Sequence, residues 1–89
     1  MKYTKDPNAV LDYKIDWTAW MPVNDKIVQS SYESSDSELV VDDSLFDDFT
    51  TTVWLSGGVA GERYTVTNHI VTEDGREDDR SIVIVCKEL

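Results

Sequence analysis

The most restrictive pattern in the chain runs through residues 63–87. From Arg63 to Thr72, Tyr64, Val66, Asn68 and Ile70 fall on one side of an extended segment, and Thr65, Thr67, His69 and Val71 on the other. Glu73-Asp74-Gly75-Arg76 follows. An Asp-Gly pair between two alternating runs is the strongest short signal for a β-hairpin, because both residues tolerate the positive φ of a tight turn. Arg80 to Lys87 then returns with Ile82, Ile84 and Cys86 on one face and Val83 and Val85 on the other. A repeat of two is the side-chain repeat of a strand, whereas a helix repeats every 3.6 residues. Apolar side chains on both faces predict that this last strand is central in its sheet or covers a partner surface.

The same reading extends toward the N-terminus. Leu11, Tyr13, Ile15 and Trp17 alternate with Asp12, Lys14 and Asp16, the pattern of a half-buried strand. Pro22 to Asp25 is a turn, since Pro fixes φ and Asn and Asp favour turns. Further strands are expected from Lys26 to Glu33, briefly from Glu38 to Val41, and from Thr50 to Ser56; Ser44 to Phe49 reads equally as a short strand or a turn. Eleven Val, five Ile and eight Thr against three Ala tilt the chain toward sheet, because β-branched side chains are stiff in helices and pack well on a pleated surface. Six to seven short strands in 89 residues predict an all-β fold, an immunoglobulin-like antiparallel β-sandwich without the antibody disulfide. The expected division is an extended N-terminal arm over residues 1–10, which lacks periodicity, and the sandwich over 11–89.

Charge narrows the partners. Eighteen acidic residues against eight basic give a net charge of −10, which disfavours binding to nucleic-acid phosphates and to anionic membranes. No basic residue lies between Lys26 and Arg63, while eight acidic ones do, so this stretch is a solvated face or a surface for a basic partner. No apolar run is long enough for a membrane helix. The opening MKYTKDPNAV lacks the apolar stretch of a secretory signal, which argues against export by that route.

Each motif that suggests chemistry has a plainer reading. Ser56-Gly57-Gly58-Val59-Ala60-Gly61 lacks the Lys-Ser/Thr pair and the helix of a phosphate loop, and reads as a strand connection. His69, the single histidine, would need a nucleophile such as Cys86 beside it, and the alternation does not say whether the two share a face. Asp42/Asp43, Asp47/Asp48 and Glu77/Asp78/Asp79 offer oxygens for calcium but fit no ligand spacing, and a domain this small offers little cleft for a pair of glycosidase carboxylates. No catalytic residue, cofactor site or metal site is therefore assigned, and the chain is not expected to be an enzyme.

Protein contacts are the better prospect. Trp17 and Trp54 are expected in the core. Trp20 stands outside the alternation, immediately before Met21-Pro22. It is either packed against the core or, with Met21 and Pro22, an interface anchor, since Trp is enriched at binding hot spots. Asp6 and Pro7 in the arm are further interface candidates, on the expectation that the arm orders against a neighbour.

Several stretches together carry a resemblance. Lys5-Asp6-Pro7-Asn8-Ala9-Val10-Leu11-Asp12-Tyr13 leads into Ile15-Asp16-Trp17; Thr52-Val53-Trp54-Leu55-Ser56-Gly57-Gly58 precedes Gly61 and Tyr64-Thr65-Val66-Thr67-Asn68; Asp74-Gly75-Arg76 and Asp78-Asp79-Arg80-Ser81-Ile82 close the pattern. From about Lys5 to Val85 the chain resembles a family of small structural proteins of tailed bacteriophages, the phage fiber-tail adaptor or phage-related proteins. No motif matches in the acidic middle, Glu33 to Asp48.

The resemblance implies an immunoglobulin-like sandwich, no enzymatic activity, synthesis in the host cytoplasm and a place in the virion, at the tail or neck. It implies partners among the tail, neck and fiber proteins, in a symmetric ring. A capsid decoration protein and a carbohydrate-binding domain at the host-facing tail tip are the alternatives, because the fold alone does not separate them. Within the pattern, Tyr64 resembles a tyrosine corner, whose hydroxyl ties back to nearby backbone. Asp79 and Arg80 are expected to form ion pairs with neighbours.

Overall fold

A computed structural model describes residues 1–88; Leu89, the last residue of the expected 11–89 unit, lies outside them. Seven strands form two sheets: β1 Lys2–Lys5, β2 Leu11–Asp16, β3 Ile27–Ser34, β4 Leu39–Phe46, β5 Thr50–Gly57, β6 Arg63–Thr72 and β7 Glu77–Cys86. The four-stranded sheet has the order β1-β7-β6-β3 and the three-stranded sheet β2-β5-β4. All neighbours are antiparallel except β1 and β7, which run parallel from Lys2–Val83 to Lys5–Cys86. The body measures 43 × 20 × 17 Å, with strands along its length and turns at its two ends.

The alternation selects the core. Tyr13 and Ile15 from β2, Val53 and Leu55 from β5, Tyr64, Val66 and Ile70 from β6, and Ile82, Ile84 and Cys86 from β7 are buried between the sheets. The last strand is central, between β1 and β6, which accounts for the apolar residues on both its faces. One buried polar residue organises this interior. Asn68 Oδ1 accepts from Trp17 Nε1 at 3.0 Å and Thr51 Oγ1 at 2.7 Å; its Nδ2 donates to Ser30 Oγ at 3.0 Å and to the Ser31 carbonyl at 2.9 Å. All four of its hydrogen-bonding positions are used, so the amide is buried without an orphan and ties both sheets to the β2–β3 connection.

Three expectations are corrected. Residues 2–5 lie within the segment expected as an arm, yet they form a strand of the four-stranded sheet. The lead shows no alternation because β1 has only four residues and its second inward position is Lys5, fully buried, with Nζ donating to the Asp6 and Gly57 carbonyls at 3.0 and 2.7 Å. Trp54 is not in the core. It lies on the opposite face of β5 from Thr51, Val53 and Leu55, with 38% of its surface exposed. Strand β4 is longer than the expected Glu38–Val41 and takes in part of the ambiguous Ser44–Phe49. A bulge between Val41 and Asp43 shifts the register there and breaks the two-residue repeat.

Candidate functional site

Strand direction distributes the loops between two ends. The upper end holds the β1–β2 loop with Asp6 and Pro7, the β3–β4 turn and the glycine-rich β5–β6 loop. The lower end holds residues 17–26 with Trp20, Met21 and Pro22, the β4–β5 turn and the β6–β7 hairpin. The interface candidates therefore lie in two places, at opposite ends of the body.

Trp17 fixes the lower end. Its amide donates to the Phe49 carbonyl at 2.8 Å, its ring is fully buried, and the Arg80 guanidinium carbon stands 4.2 Å from the ring centroid. Arg80 Nη1 also donates to the Asp16 carbonyl at 3.0 Å. Among the described residues Arg80 closes over the indole and joins no ion pair, while Asp79 pairs with the His69 imidazole. After Trp17 the chain makes one helical turn, with Trp20 and Met21 amides bonded back to the Trp17 carbonyl at 3.0 Å. This brings Trp20 edge-on to Trp17, ring centroids 5.3 Å apart. Trp20 and Met21 are half-buried against the core, and Pro22 begins the expected turn to Asp25. Val23 and Phe49 are exposed in the turns of this end, where periodicity did not single them out, and Val28 and Phe46 are exposed on the strands beside them. Phe49 lines a depression of about 480 Å³ together with Thr18, Asp47, Asp48 and Thr50.

Close backbone approach builds the upper end. Gly58 has φ +93°, and a Cβ on it would stand 2.3 Å from Cys86 Sγ, so this position requires glycine. Tyr64 OH donates to Glu38 Oε1 and accepts from the Val59 amide, both at 2.9 Å. That tie to backbone five residues upstream is the tyrosine-corner geometry. Burial pushes the Tyr64 hydroxyl and the Cys86 thiol up from their ordinary pKa values. Asp6 and Pro7 are half-buried in the adjoining loop.

The titratable groups are separated in space. His69 points outward from β6, whereas Cys86 is buried near the far end of β7, so the two cannot act as a nucleophile and its base. His69 instead lies between two carboxylates, with Nδ1 2.6 Å from Asp79 and Nε2 3.0 Å from Glu77. The bond to Asp79, then that to Glu77, raises its pKa above the usual imidazole value. Two of the acidic side chains serve local turns: Asp47 Oδ1 accepts from the Phe49 and Thr50 amides, and Asp36 Oδ1 from the Glu38 amide. Among the described residues no three His, Cys, Asp or Glu side chains converge as metal ligands.

The fold has a solved counterpart. The solution structure of the PKD domain from the KIAA 1837 protein matches with a TM-score of 0.52 at 17% identity, covering 98% of this chain and 78% of that one. It supports the immunoglobulin-like sandwich and nothing about role. No curated protein matches the chain. Residues 5–85 match the family described as podophage GP4 fiber-tail adaptor protein gp77, from the last residue of β1 to the penultimate residue of β7. With the match covering nearly the whole sandwich, the chain belongs to the fiber-tail adaptor family of podophages.

Proposed function

We propose that this chain is a non-enzymatic joint in the phage virion, present in a symmetric ring and holding a tail component at one end and a fiber component at the other. The family match over residues 5–85 carries this reading. The separation of the candidate contacts supports it, since a joint needs two surfaces and the 43 Å body presents its loops in two groups. The lower contact comprises Trp20, Met21 and Pro22, with Val23 and Phe49 exposed beside them; the upper comprises Asp6 and Pro7. A sandwich cross-tied by Asn68 and Lys5 transmits position between the two without bending.

Quantitative mass spectrometry of purified particles tests the reading by counting copies against the major capsid and tail proteins. A small ring's worth is expected. A shell's worth would make the chain a capsid decoration protein, and absence from the particle would overturn a structural role altogether.

A further inference from the structure

The outer face of the three-stranded sheet carries an unpartnered feature. Trp54 projects from the central strand of that sheet, with Asp12 of β2 and Asp43 of β4 in register on either side. Directly opposed strand residues have Cβ atoms about 5 Å apart, so both aspartates stand beside Trp54, with Asp43 Oδ1 accepting from the Ser44 amide at 2.8 Å. Val40 and Leu45 extend the apolar surface along β4, 44% and 55% exposed. Among the described residues neither Asp12 nor Asp43 has a cationic partner. Lys14 is the one cation of this face, and it lies opposite Thr52, one outward position nearer the lower end. Its charge helps hold the Asp47 carboxyl below the usual range, behind the larger effect of hydrogen bonds from Phe49 and Thr50.

We propose that this face docks a segment of a virion partner that seats a Lys or Arg on Trp54 between Asp12 and Asp43 and lays an aliphatic side chain on Val40 and Leu45. The proposal rests on the adaptor reading. The chemistry follows from the face: an indole attracts a cation over its ring, two carboxylates without a cationic partner add charge, and Trp is enriched at binding hot spots. A net charge of −10 steers the encounter toward a basic surface.

The test is the affinity of the full chain for two separately purified proteins of the same phage, the fiber and the tail component that carries it, at low and high salt. Trp54→Ala, the pair Asp12→Asn with Asp43→Asn, and Asp43→Lys are compared with Thr65→Ala on the outer face of the other sheet. For one of the two partners, Trp54→Ala and Asp43→Lys are expected to weaken binding at least tenfold, and the double Asn variant to flatten its salt dependence. Thr65→Ala is expected to change affinity less than twofold. A melting curve accompanies each variant, and Asp43→Lys, at an exposed position, carries the test should Trp54→Ala not fold. Binding by the native chain with all variants of this face unaltered overturns the proposal and leaves the adaptor reading standing. Weakening by Trp54→Ala alone overturns the assignment of a basic partner. Failure of the native chain to bind either protein overturns both.

Discussion

The two ends of the sandwich are closed by different chemistry. At the lower end the closure is aromatic, capped by one cation: Trp17 against Trp20, its indole N–H held by Asn68, Arg80 covering the ring. At the upper end it is polar and made of backbone: the buried Lys5 ammonium bonded to two carbonyls, Gly58 laid against Cys86, and Tyr64 bridging Val59 and Glu38. An aromatic plug gains stability from area removed from water and tolerates small shifts. A plug of directed hydrogen bonds and contacts with no spare space tolerates few. The lower end should therefore govern global stability, and the upper end local integrity.

The largest expected effect is that of Trp17→Ala, a loss of about 3–5 kcal/mol as for other buried aromatic truncations. It is read by denaturant unfolding, and a loss below about 1 kcal/mol would place the stability of the sandwich elsewhere. Gly58→Ala should cost less, about 2–3 kcal/mol from positive-φ strain and overpacking. Its signature is local: Cys86, a buried free thiol in the native chain, should react with a thiol reagent well below the unfolding midpoint in Gly58→Ala but not in Trp17→Ala. Equal protection of the thiol in both variants would abolish the distinction between the ends.

The smallest effect is pH dependence at the lower part of the four-stranded sheet. Because His69 has a raised pKa when folded, its contribution is fully present below about pH 6.5, the unfolded value, and is lost as pH rises through the folded value. Native stability measured relative to His69→Gln should decline slightly across that window. Since these side chains are exposed to water, the decline should be small and shrink with added salt. A relative gain with rising pH would contradict the pairing with Asp79 and Glu77.

The hairpin of β6 and β7 could be read almost directly, because its register, its Asp-Gly turn and its alternation agree. Trp54 could not. Thr51, Val53 and Leu55 alternate with Thr52 and Trp54, so the sequence offers two usable faces, and the size of the indole favoured the wrong one. The choice is made by β2, whose Tyr13 and Ile15 pair with Val53 and Thr51 and commit that face to the core. The bulge after Val41 hid the length of β4. Asn68 fell correctly on the inward face by alternation, but nothing local announces its four partners, which come from β3, β5 and the residue after β2. The split of the candidate interface between two ends is a property of strand direction and could not come from residue type.

The parallel pairing of β1 with β7 has a mechanical consequence. The start of β1 points down the body, while β7 ends at the top beside Lys5. A force drawing Lys2 and Cys86 apart therefore acts along both strands. The ladder from Lys2–Val83 to Lys5–Cys86 is loaded in shear, with its bonds strained together, whereas an antiparallel hairpin pulled at its open end would unzip one bond at a time. For a chain loaded along this axis, four residues that scarcely register as a strand would set the force at which the fold first yields.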